Sequence, residues 1–223
     1  MAFNIAIDGP AGAGKSTIAK QIAKKLSFLY VDTGAMYRSI ALYMMRNQVD
    51  IYNEEAVSLV CDNIHIGIQY EGEEQQVYLN DENVTSFIRA EEVGVVASVV
   101  SAYTKVRETL LKLQQTLAHS NNVIMDGRDI GTCVLPNADL KIYLTADARV
   151  RANRRYLELQ KKGQDCNIDE IEKDIIDRDY RDMTREISPL QQAEDAVVVN
   201  TSNMNIEEVV NHIITLVKEK YKQ

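Results

Sequence analysis

Short apolar runs alternate along this chain with stretches whose apolar residues recur every three or four positions. Phe3 to Ile7 is apolar and runs into a glycine-rich turn; Ile18, Ile22 and Leu26, with Ala19 and Ala23, then mark one face of a helix. Ser27 to Val31 reads as a second buried strand. Asp32, Thr33 and Gly34 turn the chain into a helix carrying Met36, Ile40 and Met44. Val123 to Met125, Leu140 to Leu144 and Val197 to Val199 are apolar without alternation, as parallel strands covered on both faces are. The expectation is an α/β fold: a five-stranded parallel core sheet in a three-layer arrangement with helices on both faces.

One segment, about 61–88, breaks the rhythm. Ile64, Ile66, Ile68 and Tyr70 alternate with polar residues, as do Val77 and Leu79 beyond the turn-like EGEEQ, which predicts an inserted antiparallel hairpin. Val106, Leu110, Leu113 and Leu117 mark a long amphipathic helix leading back to the strand at Val123. Near the C-terminus, Asn205 and Glu208 have the spacing of a reciprocal helix cap, with Val209, Ile213, Leu216 and Val217 as the buried stripe behind it.

Composition narrows the classes. A chain of 223 residues with 45% hydrophobic and 26% charged residues suits one globular core domain spanning 1–223. Cys61, Cys133 and Cys166 are far apart, odd in number and without metal-like spacing, so reduced thiols are expected. No basic leader precedes a long apolar run, and no segment reaches the roughly 18 apolar residues of a membrane span, so a cytoplasmic protein without a membrane partner is expected. A net charge of -8 and a pI near 5.0 argue against nucleic acid as a partner, leaving any anion site to local residues. His65, His119 and His212 have neither metal nor triad spacing and read as structural or solvated.

The strongest chemical signal is GPAGAGKS, Gly9 to Ser16, which fits the phosphate-binding pattern G-x-x-x-x-G-K-[ST] and lies between a predicted strand and a predicted helix. Gly9, Gly12 and Gly14 let successive N–H groups curl around phosphates, Lys15 reaches the terminal phosphates, and Ser16 and Thr17 complete the ATP site. Ser16 is the expected Mg2+ ligand. The guanine-reading N-K-x-D tetrapeptide is absent, which favours a small kinase over a GTPase.

Two further strand exits carry chemistry. DTGAMYR places Thr33, Tyr37 and Arg38 at the open end of the sheet, where such folds bind ligands. DGRDIGT crowds Asp126, Arg128 and Asp129 into one turn, with Asp126 in the position of a Mg2+-water partner. Between Arg149 and Arg185 lie seven of the chain's 12 arginines, around the loop-like KKGQDCN. Alone, that run reads as a solvated helix pair. Beside a phosphate loop it reads as a mobile lid, about 150–185, whose arginines close over phosphates.

GPAGAGKS, DTGAMYR, the Val106–Arg107 pair, DGRDIGT and RDYRDMTR (Arg178 to Arg185) follow one another as in bacterial cytidylate kinases, and the chain resembles that family almost end to end, insertion included. The resemblance implies a P-loop core with a monophosphate-binding insertion and a lid, and a reaction in which ATP with Mg2+ phosphorylates CMP or dCMP. It further implies that Ser98, Arg107, Asp129 and Arg185 surround the cytosine, that Arg178 and Asp182 approach the ribose, and that Arg38 and Arg128 hold the acceptor phosphate. Tyr37 would line the sugar pocket. Position 33 is Thr where many family members carry Ser, which keeps the hydroxyl. The acceptor is already an anion, so no strong base is needed, and catalysis would fall to Lys15, Arg128 and lid arginines among Arg151, Arg154 and Arg155. A monomer is the default. Other acceptors, a nucleotide-dependent switch and an RNA-binding protein remain the competing readings.

Overall fold

The computed structural model describes residues 2–72 and 74–221, Tyr221 by its backbone alone; Glu73, inside the EGEEQ turn, lies outside the described residues. Strand β1 (Asn4–Asp8) leads through the glycine-rich turn into helix α1 (Lys15–Leu26), and β2 (Leu29–Asp32) into α2 (Thr33–Arg46). An excursion follows: α3 (Glu54–Cys61), the strands β3 (Ile66–Glu71), β4 (Glu74–Leu79) and β5 (Glu82–Asn83), then α4 (Glu91–Val100) and α5 (Thr104–Ser120). The chain returns through β6 (Val123–Gly127) and β7 (Leu140–Thr145), crosses the helical pair α6 (Ala148–Lys161) and α7 (Ile168–Thr184), and closes with β8 (Val197–Asn200) and α8 (Ile206–Tyr221).

The core sheet has five strands in the order β2-β6-β1-β7-β8, all parallel. One face carries α1 and α8, where Ile18, Ile22, Val209 and Ile213 pack on Ile5, Ile7 and Ile142. The other carries α2, α5 and the excursion, where Met36, Ile40, Met44, Leu110, Val77, Leu79 and Ile88 share one core with Val31 and Met125. Fully burying an aliphatic side chain contributes roughly 1.5–3 kcal/mol, so both layers are anchored mainly by apolar packing. The helix cap read at Asn205 is present: its N–H donates to Glu208 Oε2 at 2.8 Å, and the Glu208 N–H donates to Asn205 Oδ1 at 3.0 Å.

Boundaries differ from the periodicity in physical ways. The second strand begins at Leu29 rather than Ser27, because Ser27 caps α1 in the left-handed region, with φ 55°. Strands β1 and β6 continue through polar residues to Asp8 and Gly127, which pair with each other. In the excursion the strands occupy 66–83 of the segment expected at about 61–88, Cys61 ends α3, and β5 adds a short third strand on β4.

The excursion also covers a sheet edge. Strand β2 is terminal in the core sheet, and side chains from the hairpin bond its outer backbone. Tyr70 donates its hydroxyl to Tyr30 O at 3.0 Å, while Gln75 accepts from Asp32 N–H at 2.9 Å and donates to Asp32 O at 3.3 Å. An edge that would otherwise invite pairing with another chain is thereby closed.

Candidate active site

The C-terminal ends of β1, β2, β6 and β7 open into one cleft of about 1040 Å3. Parallel sheets place their ligand crevice at this end, because all the loops leaving the strands converge there.

The phosphate loop fills the gap between β1 and α1. Gly9 has φ 150°, and a Cβ there would lie 1.9 Å from Leu144 O, so only glycine lets the loop pass over β7. Gly9 lies beneath the loop, whereas Gly12, Gly14, Lys15, Ser16 and Thr17 line the cleft. Ala11 is gripped from behind: its N–H donates to Asp179 Oδ1 at 3.1 Å and its carbonyl accepts from Arg151 Nη1 at 2.8 Å. Arg151 is also paired with Asp179 at 2.5 Å and is buried. Grouped by sequence with the arginines that close over phosphates, Arg151 instead braces the loop, because both ends of its guanidinium are committed to backbone carbonyls and a buried carboxylate.

Lys15 opens α1 and is buried, its ammonium donating to Pro10 O at 2.8 Å. Burial and the nearby Arg128 pull its pKa down to about 7, against the opposing pull of Asp126 and Asp8. Beside it, Ser16 donates its hydroxyl to Asp126 Oδ2 at 2.8 Å and Tyr30 donates to Asp126 Oδ1 at 2.9 Å. Burial and Asp32 raise the Asp126 carboxyl above its ordinary range. Thr33 donates its hydroxyl to Asp126 O at 2.7 Å, which holds the β6 end in place. A hydroxyl facing a buried carboxylate in the same cleft is the hard oxygen donor set that suits Mg2+, an ion that keeps much of its water and arrives with phosphates. Ser16 and Asp126 therefore fit the expected metal.

The other half of the cleft is dense with arginine. Arg107 pairs with Asp129, donates to Ser101 O and to Ser188 Oγ at 3.1 Å each, and lies 5.5 Å over the Tyr37 ring. Arg185 donates to Ser188 O at 2.8 Å and approaches Asp129 at 3.8 Å. Arg128 donates to Asp182 Oδ2 at 2.8 Å. Burial pushes the Asp182 carboxyl up, but Arg128, Arg178 and Arg185 outweigh it and hold it below its ordinary value. Arg38 donates to Ile88 O and Ala90 O at 3.1 and 3.2 Å. Arg178 is lowered to about 10, by burial first and then by Arg128.

Among the described residues, four buried side-chain polar atoms have no hydrogen-bond partner: Asn4 Oδ1, Ser98 Oγ, Arg178 Nε and Arg185 Nη2. Ser98, Arg178 and Arg185 all line this half of the cleft. Leaving such a group unpaired costs about 1–3 kcal/mol, more when charged, so three on one wall point to a polar ligand.

Arg154 and Arg155, adjacent in sequence, diverge. Arg154 donates to Thr201 O at 2.7 Å, on the loop before α8, while Arg155 lies 3.9 Å from Glu91 of α4 and 3.1 Å from Glu158. Sequence reasoning passed over several residues of the cleft, Arg89, which pairs with Asp32 at 3.2 Å, Ser101 and Thr201, and also Tyr30, which holds Asp126 from outside it. Asp32, read from the sequence as part of the turn into α2, caps that helix by accepting from the Ala35 N–H at 2.9 Å.

A family model described as cytidylate kinase matches residues 5–219. The cytidylate kinase of Shouchella clausii (strain KSM-K16) is 47% identical over 221 residues, covering 99% of this chain and 98% of that protein. That of Caldicellulosiruptor saccharolyticus is 51% identical over 214 residues, covering 96% and 95%. Among solved structures, an uncharacterized protein from Eubacterium ventriosum ATCC 27560 superimposes with a TM-score of 0.55 at 10% identity, covering 97% of this chain and 98% of that one, which is a likeness of fold.

Proposed function

The chain belongs to the cytidylate kinase family, and from that premise we propose that it transfers the γ-phosphate of ATP to CMP or dCMP, giving ADP and CDP or dCDP. The observation that carries the reading is the set of three unpartnered polar atoms, on Ser98, Arg178 and Arg185, around the Asp129 pocket. Cytosine supplies what Ser98 and Arg185 lack, and the ribose what Arg178 lacks. Its exocyclic amine donates to a carboxylate such as Asp129, and its O2 and N3 accept from Arg107, Arg185 and Ser98. Uracil would turn an acceptor toward the carboxylate and leave buried groups unpaired, which favours CMP by about tenfold or more.

In this reading Arg178 and Asp182 approach the ribose, Tyr37 lines its pocket, and Arg38 and Arg128 hold the acceptor phosphate. That phosphate is already anionic, so its oxygen attacks the γ-phosphorus in line without a strong base. Lys15 and the arginines do the remaining work, by position and charge. Ser16 and Asp126 would hold Mg2+, which when bound would supply charge neutralisation to the phosphates. The helical pair α6–α7 serves as a lid that excludes water, with Arg154 toward the donor and Arg155 toward the acceptor. The excursion between β2 and β6 is the acceptor-binding subdomain. We read the protein as a cytoplasmic monomer acting on small molecules; among the described residues no helix is long and apolar enough to cross a membrane.

Turnover of CMP, dCMP, UMP and AMP with Mg-ATP, followed by coupled ADP release, tests acceptor and reaction together. CMP or dCMP should lead, with UMP at least about tenfold behind. Equal turnover of UMP would remove Asp129 from base recognition, and ADP release independent of acceptor would overturn the kinase reading.

A further inference from the structure

Asp8 is buried at the end of β1 and does not line the cleft; beyond its charge near Lys15, its side chain has been given no role above. Its two carboxylate oxygens accept two consecutive backbone N–H groups from 122 and 123 residues away: Ile130 N–H to Oδ1 at 2.8 Å and Gly131 N–H to Oδ2 at 2.7 Å. These amides belong to the first two residues of a single π-helical turn, Ile130–Val134, which begins immediately after Asp129. The turn is closed from the other side as well, since Asp129 O accepts from Cys133 N–H at 2.8 Å and Ile130 O from Leu135 N–H at 2.7 Å. Gly131 permits the close approach: a Cβ there would lie 3.3 Å from Asp8 Oδ2 and 3.1 Å from Lys141 Cδ.

We infer that Asp8 is a positioning residue for base selectivity: its carboxylate fixes the peptide plane following Asp129 and so aims the Asp129 side chain at the base. This deepens the assignment of Asp129 above and rests on it. The geometry also explains why the device sits on β1. Asp8 pairs with Gly127 on one side and Tyr143 on the other, so its backbone is held centrally in the sheet, and the next residue is Gly9 of the phosphate loop. One residue thereby joins the start of the donor loop by its backbone to the acceptor turn by its side chain. A carboxylate is required because it offers an acceptor to each N–H. An asparagine would turn its own NH2 toward one of the two donors, and the charge that strengthens both bonds would be gone.

The test compares Asp8→Asn with Asp129→Ala and wild type, measuring KM and kcat for ATP, CMP and UMP, thermal midpoint, and NMR hydrogen exchange of the Ile130 and Gly131 amides. Asp8→Asn should lower the CMP-to-UMP ratio of kcat/KM by about tenfold and speed exchange of both amides. A general packing role would instead lower the thermal midpoint and shift both substrates together with the ratio intact, and that result overturns the inference. If Asp129→Ala lowers the ratio and Asp8→Asn does not, the inference fails while the base-reading assignment stands. If Asp129→Ala leaves the ratio unchanged, that assignment fails, and unchanged amide exchange and CMP KM in Asp8→Asn would then overturn the role of Asp8 too. Should Asp8→Asn not fold, Asp8→Ser keeps one acceptor and is read by the same measurements.

Discussion

Lys15 carries its ammonium on the carbonyl of Pro10, buried and close to Arg128. With its pKa drawn down to about 7, a substantial fraction is neutral at pH 8 before nucleotide arrives. The sign of the consequence is fixed: a polyphosphate favours the charged form, so binding restores a proton. Binding of a non-hydrolysable Mg-ATP analogue should therefore take up a proton at pH 8, to a larger extent than at pH 6, as measured by calorimetry in two buffers of different ionisation enthalpy. Equal, near-zero uptake at both values would contradict the lowered pKa. Residues of this kind were legible in the sequence because their chemistry follows from local order: a glycine-rich turn needs only its neighbours to cradle phosphates. Tyr30 and Asp8 were not legible, because what matters about them is a partner 96 or 122 residues away; Tyr30 sits in a run that reads as plain strand and Asp8 between such a run and the glycine-rich turn. The partners of Arg151 were not legible for the same reason; Asp179 and Ala11 O reach it through the packing of α7 on the loop.

At the scale of elements, the small sheet β3–β4–β5 does more than extend the acceptor half. Through Gln75 and Tyr70 it grips the backbone of β2 just where Asp32 caps α2 and pairs with Arg89. Gln75→Ala removes two hydrogen bonds to Asp32 and should cost about 1–2 kcal/mol in urea unfolding. It should also raise KM for CMP more than KM for ATP, because β2 leads into the acceptor loop and not the phosphate loop. A change confined to ATP would show that the brace acts elsewhere. The hairpin was visible as a change of period from helical to alternating. Helix α4 was not: after two glutamates, VGVVASVV is mostly apolar and rich in valine, which period and propensity assign equally well to a strand. Its packing against α2 decides the matter, with Val93, Ala97 and Val100 buried on one side.

In the reading proposed above, a donor half and an acceptor half share one sheet, so ligand binding and global stability are linked. A ligand held only by the folded protein and present at 100 times its Kd stabilises by about 2.7 kcal/mol. For a chain of this size that corresponds to a rise of roughly 5–10 °C in thermal midpoint. CMP should produce such a shift and UMP at equal concentration a markedly smaller one, while Mg-ADP added to CMP should raise the midpoint further if both halves fill independently. A midpoint unmoved by CMP at millimolar concentration would tell against the acceptor pocket.

The same cleft has a consequence for how substrates are caught. Ten of the chain's 25 lysines and arginines line it, against six of its 33 acids, so the remaining surface is more anionic than the net charge of -8 conveys. A free nucleotide is repelled by the body at a distance and drawn in only near the mouth, within about one Debye length, ~8 Å at physiological salt. Capture is thus short-ranged and filtered by size. A mononucleotide can pass the rim with all its charge and settle among the arginines, whereas a long polyanion cannot offer one phosphate to the cleft without pressing its neighbours against acidic surface.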